Sequence, residues 1–127
     1  MLIQVALVGI GGFLGSVGRY LLSLLVTQWS GASRFPAATL VANVLGCLVI
    51  GALSGFATRS AFLTPPLRLF LITGLLGGFT TFSAFGYETF LLGKESFGAL
   101  ALANIVAQLV LGIGAVWLGH TLMLSGR

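Results

Sequence analysis

Residues 66–92 read PLRLFLITGLLGGFTTFSAFGYETFLL, a stretch long enough to cross a bilayer yet crowded in its middle with glycines and hydroxyls. About 20 apolar helical residues span the roughly 30 Å of a bilayer's hydrocarbon core, so the stretch reads as a membrane span. Gly77-Gly78 followed by Thr80-Thr81 predicts a break in its helix. Backbone groups opened at that depth are tolerated only where protein, water or an ion satisfies them. Half-helix ends near a midplane bind ions. On a two-fold axis, two copies of such a break would gather carbonyl oxygens into a cage for a hard monovalent cation.

Three further runs have the same character: Leu2–Thr27, Pro36–Thr58 and Phe97–Leu124. With residues 66–92 they predict an all-α, four-span protein with connectors of eight, seven and four residues, a single transmembrane domain over 1–127. Composition agrees, since 57% apolar residues, 6% charged residues and a mean hydropathy of +1.13 leave too little charge to cover a soluble globule. The six Lys/Arg stand singly against two Glu, which argues against a nucleic-acid surface. Gly9, Gly11, Gly12 and Gly15 suggest a phosphate loop, but Leu14 breaks the G-x-G-x-x-G spacing and no G-K-[ST] occurs, so nucleotide-driven transport is excluded. Cys47 is alone, forms no intrachain disulfide and reads as a small core residue.

If the N-terminus lies on one face of the membrane, that face also carries Arg59, Arg68 and Arg127, while the other carries Arg19, Arg34 and Lys94. Three bases against three give the insertion machinery no instruction. Both orientations are expected, and the natural closed assembly is an antiparallel, dual-topology homodimer. Gly11-x-x-x-Gly15, Gly51-x-x-x-Gly55 and Gly74-x-x-x-Gly78 are small-residue pairs of the helix-packing kind.

Charge inside a span is costly, so Arg19 and Glu88 require a reason. They either snorkel, form an ion pair joining the first and third spans, or, for Arg19, concentrate anions at a vestibule. Asn43, in the second span, either bonds across helices or lines a wet path. Asn104 and Gln108, four residues apart on the fourth span, add two amides to one helix face, a possible polar pore wall. Phe82 and Phe85 read as core packing on their own. Beside Thr80, Thr81 and Ser83 they also read as an anion path, because the ring edge is the positive part of the aromatic quadrupole.

Gly12-x-x-Gly15-x-x-x-Arg19-Tyr20, Thr39-Leu-x-x-Asn43-x-x-Gly46 and Gly77-Gly-x-Thr-Thr-Phe-Ser-x-Phe-x-x-Glu88 resemble, in order, the first three helix motifs of the Fluc (CrcB) family of small fluoride channels. The resemblance implies an antiparallel homodimer in the cytoplasmic membrane of a bacterial-type cell, passing fluoride outward without catalysing a reaction. It implies a central sodium ion on the carbonyls of Gly77 and Thr80. It further implies a fluoride pore of Phe82, Phe85 and Asn43, with Ser83 and Thr39 as lesser polar contributors and Arg19 at the mouth. Ala38 and Ala84 stand where the family usually has Gly and Thr, and Asn104 and Gln108 stand where many members have Tyr and Ser. The alternative is a proton-coupled small multidrug exporter with Glu88 as the exchanging carboxylate, disfavoured because the chain lacks the first-helix Glu such exporters share.

The charge balance carries its own test. A single Cys in the first connector of a Cys47-free variant is expected to label from both sides of the membrane in about equal amounts, and two Lys added near the C-terminus should bias it. Labelling from one side alone would contradict mixed insertion.

Overall fold

The first helix, α1 (Leu2–Ser30), runs three residues beyond its expected end and stops where Gly31 adopts φ +62° and returns its N–H to the Thr27 carbonyl. A left-handed φ is what glycine tolerates and most residues do not. After a short connector, Pro36 precedes α2 (Ala37–Ala57). Thr64 and the prolines Pro65 and Pro66 open the third span, proline being tolerated in a first turn where N–H groups have no helical partner. The computed structural model describes residues 1–125; Arg127, counted above among the bases, lies outside them.

The third span is composite. A short turn, α3 (Pro65–Arg68), leads into a π-helical segment, Leu69–Leu76, and then α4 (Gly77–Phe79). Thr80 (φ −85°, ψ 157°) and Thr81 (φ −153°, ψ 119°) are extended, and α5 (Phe82–Lys94) begins after them. Thr81 caps α5 through its hydroxyl, which accepts from the Ala84 N–H at 3.2 Å. A tight turn through Ser96 then leads to α6 (Gly98–Ser125). Arg34, in the first connector, lies 4.3 Å from the centre of the Phe97 ring in the third, so these two connectors share one end of the bundle.

Four helical segments are long and apolar enough to cross a membrane: Leu2–Ser30, Ala37–Ala57, Pro65–Lys94 and Gly98–Ser125. Large apolar side chains such as Phe13, Leu25, Val110 and Ile113 face outward, while the buried positions are mainly glycine and alanine. Lipid is as apolar as leucine, so such helices gain little from burying large side chains and associate through close backbone contact.

The small-residue pairs make that contact within the chain. α1 packs along the π-helical segment and α4, and α2 packs along α6. A Cβ added at Gly15 would collide with the Leu75 carbonyl oxygen, and one at Gly51 with that of Val116. Gly78, expected to help break the helix, is helical and meets the Gly12 backbone, so its small size serves packing. Gly9 and Gly114 have open space where a Cβ would go.

This contrast gives a stability test. Gly15→Ala and Gly51→Ala are each expected to lower the unfolding free energy in mixed micelles by about 1–3 kcal/mol, the range for overpacking. Gly114→Ala should stay within about 0.5 kcal/mol of the parent.

Candidate functional site

The extended pair Thr80-Thr81 borders a cavity of about 390 Å³. α2 contributes Asn43, Gly46, Cys47 and Ile50, the third span contributes Gly77, Thr80, Thr81, Phe82 and Phe85, and α6 contributes Gln108. The Phe82 and Phe85 rings lie 5.5 Å apart at 64°, edge to face, and Phe82 is 81% exposed. Cys47, read as a core residue, is half-buried and forms part of this wall.

One amide organises the cavity. Asn43 Oδ1 accepts the Thr81 N–H at 2.8 Å, and Asn43 Nδ2 donates to the Thr81 carbonyl at 3.0 Å. The side chain thus pairs with both polar groups of one residue, as a neighbouring strand would. In an unbroken helix the Thr81 N–H would bond the Gly77 carbonyl, four residues back, so its diversion to Asn43 leaves that oxygen without its helical donor. The Gly78 carbonyl receives Ser16 Oγ at 3.4 Å and Arg19 Nε at 3.3 Å from α1. Thr80 turns its own hydroxyl back to the Leu76 carbonyl at 2.9 Å.

Asn43 Nδ2 also donates to Gln108 Oε1 at 3.0 Å, tying α6 to the same point. Gln108 Nε2 is buried and has no hydrogen-bond partner. Ser83, expected among the pore residues, is exposed, with its hydroxyl 3.3 Å from that of Thr81.

Thr39 lies elsewhere. It lines a second cavity of about 430 Å³ with Arg19, Glu88, Ser16, Ser23 and Ala84. Its hydroxyl donates to Glu88 Oε1 at 2.6 Å. The ion pair considered between Arg19 and Glu88 is not formed: Glu88 takes the hydroxyl of Thr39, and Arg19 reaches the Gly78 carbonyl. Opposite charges this deep can each bond to nearer neutral groups instead of to each other, and here Arg19 Nε and Glu88 Oε1 do. Glu88 Oε2 is buried with no hydrogen-bond partner.

Asn104 is fully buried and donates to Thr89 Oγ1 at 2.9 Å, joining α6 to α5. It lines neither cavity. Asn104 and Gln108 therefore share a helix face but serve different contacts. Thr81 is read from the sequence as part of the helix break and of the hydroxyls beside the two rings, but the engagement of its whole peptide by Asn43 is not. Thr89, partner of the buried amide, escapes the sequence reading, and nothing local marks it.

Four membrane-capable helices enclosing buried amides and a cavity with polar and aromatic walls define a multi-pass membrane protein. The family model described as CrcB-like protein, Camphor Resistance (CrcB), matches residues 6–120, and the chain belongs to that family. A Methylobacillus flagellatus protein named fluoride-specific ion channel FluC is 48% identical over 120 residues, 94% of both chains. Proteins of the same name from Rhizobium meliloti and Solibacter usitatus are 45% and 43% identical, over 94% and 91% of this chain and 95% and 94% of their own.

Asn43→Ala would leave both polar groups of Thr81 unpaired. Each buried unpaired group costs about 1–3 kcal/mol, so the variant should lose at least about 2 kcal/mol in an unfolding titration in micelles. Thr121→Val, which removes an exposed hydroxyl bonded within its own helix, should change it by under about 0.5 kcal/mol.

Proposed function

We propose that the protein is a passive, fluoride-selective ion channel that lets cytoplasmic fluoride leave the cell and so lowers its toxicity. The observation that carries this reading is the 48% identity, across 94% of both chains, to a protein named fluoride-specific ion channel. The cavity chemistry supports it. A small hard anion leaving water needs donors and positive ring edges in exchange, and Phe82, Phe85 and the hydroxyls of Thr80 and Thr81 border one space. Ser83 and Asn43 belong to the same path, with Asn43 holding its shape. Thr39 and Glu88 belong to the second cavity, where the guanidinium of Arg19 raises the local anion concentration. The exporter alternative has no comparable support, since the relatives named above carry the name of ion channels.

The working form in this reading is an antiparallel, dual-topology homodimer, supported by the balanced bases and by the exposure of Phe82 and Gly77 at the cavity. A sodium ion at the two-fold axis would be held by the carbonyls of Gly77 and Thr80 from each copy. The residues fit it: the Gly77 oxygen has lost its helical donor, Thr80 is extended, and carbonyl oxygens suit a hard cation. Bound there, sodium would supply a fixed positive charge at the junction of the two copies. Asn104 packs between helices in this reading, and Gln108 is the polar wall of the fourth span.

Purified protein in liposomes should release fluoride without a proton gradient while retaining chloride, read with a fluoride electrode and a chloride control. Equal rates for the two anions would remove the selectivity, and strictly proton-dependent drug flux would restore the exporter.

Replacing Phe82 or Phe85 with Ile keeps an apolar side chain and removes the ring edge, at a packing cost that near-isosteric swaps hold to about 1.5 kcal/mol. Fluoride efflux should fall at least about tenfold while gel filtration still gives the parent assembly. Full conduction by both variants would make the rings packing residues.

A further inference from the structure

Four arginines lie among the described residues, and three of them have partners. Arg19 reaches the Gly78 carbonyl, Arg34 lies over the Phe97 ring, and Arg59 donates to the Met123 carbonyl at 2.9 Å. Arg68, at the end of α3, is exposed and has no hydrogen-bond or ion-pair partner among the described residues. It borders a third cavity, of about 500 Å³, whose other walls are Leu63, Pro65, Leu69, Ile72 and Thr73.

Neighbouring charges do not cancel that of Arg68. The chain has two acids: Glu88 lines the second cavity and bonds Thr39, and Glu95 follows α5 in the third connector. The third connector shares one end of the bundle with the first, whereas Arg68 follows the second connector, at the other end. Arg59 is also at that other end, and its printed partner there is a neutral carbonyl. The end that holds the third cavity therefore carries bases and, among the described residues, no acid.

The third cavity adjoins the aromatic one. Ile72 borders both. Arg68, Ile72, Leu76 and Thr80 follow one another at four-residue steps, a spacing that makes side chains neighbours along a helix. Arg68 lines the third cavity, Ile72 both cavities, and Leu76 and Thr80 the aromatic one. One face of the third span thus leads from an exposed cation to the space beside Phe82 and Phe85.

We propose that the Arg68 cavity is a second mouth of the anion path, opposite the Arg19 cavity, where Arg68 concentrates anions and Ile72 forms the threshold to the aromatic cavity. The inference rests on the channel reading above and deepens it by giving the path its other entrance. A fixed charge in a cleft with apolar walls raises the local anion concentration without binding the ion in one geometry. The planar fork of arginine is not needed for that, so a lysine serves in its place.

Fluoride efflux from liposomes of neutral lipid, at constant sodium, tests the mouth. At about 0.01 M ionic strength the Debye length is about 30 Å, and Arg68→Gln should conduct at least about fivefold more slowly than the parent while Arg68→Lys stays within about twofold of it. An impermeant salt on both sides, raising the ionic strength to about 1 M, cuts that length to about 3 Å and should bring Arg68→Gln within about twofold of the parent. Arg59→Gln removes a charge from the same end but outside the cavity, and should stay within about twofold of the parent throughout.

Two cysteine variants in a Cys47→Ala background compare one sample before and after reaction, so folding does not enter. With Arg68→Cys, a methanethiosulfonate reagent bearing a trimethylammonium group should raise efflux, and one bearing a sulfonate should lower it. With Ile72→Cys, a bulky neutral reagent should stop efflux. Parent-rate conduction by Arg68→Gln at low ionic strength would overturn the proposal, as would a loss that salt does not reverse or an equal loss in Arg59→Gln. The same response to both charged reagents, or undiminished efflux through fully modified Ile72→Cys, would also overturn it. A loss confined to vesicles of acidic phospholipid would make Arg68 a headgroup contact and not a mouth. If the parent protein itself passes no fluoride, the channel reading fails instead; if the parent conducts and these variants match it, only the present inference does.

Discussion

The pairing of the Asn43 amide with the peptide of Thr81 is the interaction on which the rest of the molecule depends. Two extended residues inside a membrane span expose backbone groups that lipid cannot satisfy. One side chain from α2 meets both polar groups of Thr81. Because the Thr81 N–H is taken, the Gly77 carbonyl is released from the helix ladder, α5 starts at Phe82, and the Phe82 and Phe85 rings come to the same cavity. The second N–H of Asn43 then sets Gln108. Structure and proposed chemistry share one hydrogen-bonded node.

That node can exist only if the helices approach closely enough for short side chains to bridge them. Glycine provides the approach: Gly15 against the Leu75 backbone, Gly78 against Gly12, and Gly51 against Val116. The π-helical segment Leu69–Leu76 lies along α1 in the same contact. π-Helical insertions often occur at functional sites, and here the wider segment is separated from the extended pair only by the single short turn of α4. Packing and polarity are thus coupled. A bulkier residue on the glycine seam would widen the gap that Ser16, Arg19 and Asn43 cross.

The spans were legible because hydropathy is a property of single residues summed over a window, and the helices end within three residues of the runs read from sequence. Polar residues out of place in a membrane were legible for the same reason: Arg19, Asn43, Glu88, Asn104 and Gln108 all form or line contacts inside the bundle. Partners were not legible. Whether Glu88 meets Arg19 or Thr39 depends on helix rotations that no local pattern encodes, and Thr39 proved closer. Gly77-Gly78 reads as a breaker on propensity, yet both residues are helical and the extended pair is the threonines behind them. Propensity weighs a residue's freedom, while tertiary contact decides its conformation. The π-helical segment, LFLITGLL, has no signature separating it from an ordinary apolar helix.

Trans-hydrogen-bond scalar coupling tests the central node most directly. In protein labelled with ¹⁵N and ¹³C, the account requires a coupling between the Thr81 backbone nitrogen and the Asn43 side-chain carbonyl carbon. It requires none between that nitrogen and the Gly77 carbonyl carbon. A coupling to Gly77 in place of Asn43 would mean that the helix runs on through Thr81, and the account would be contradicted.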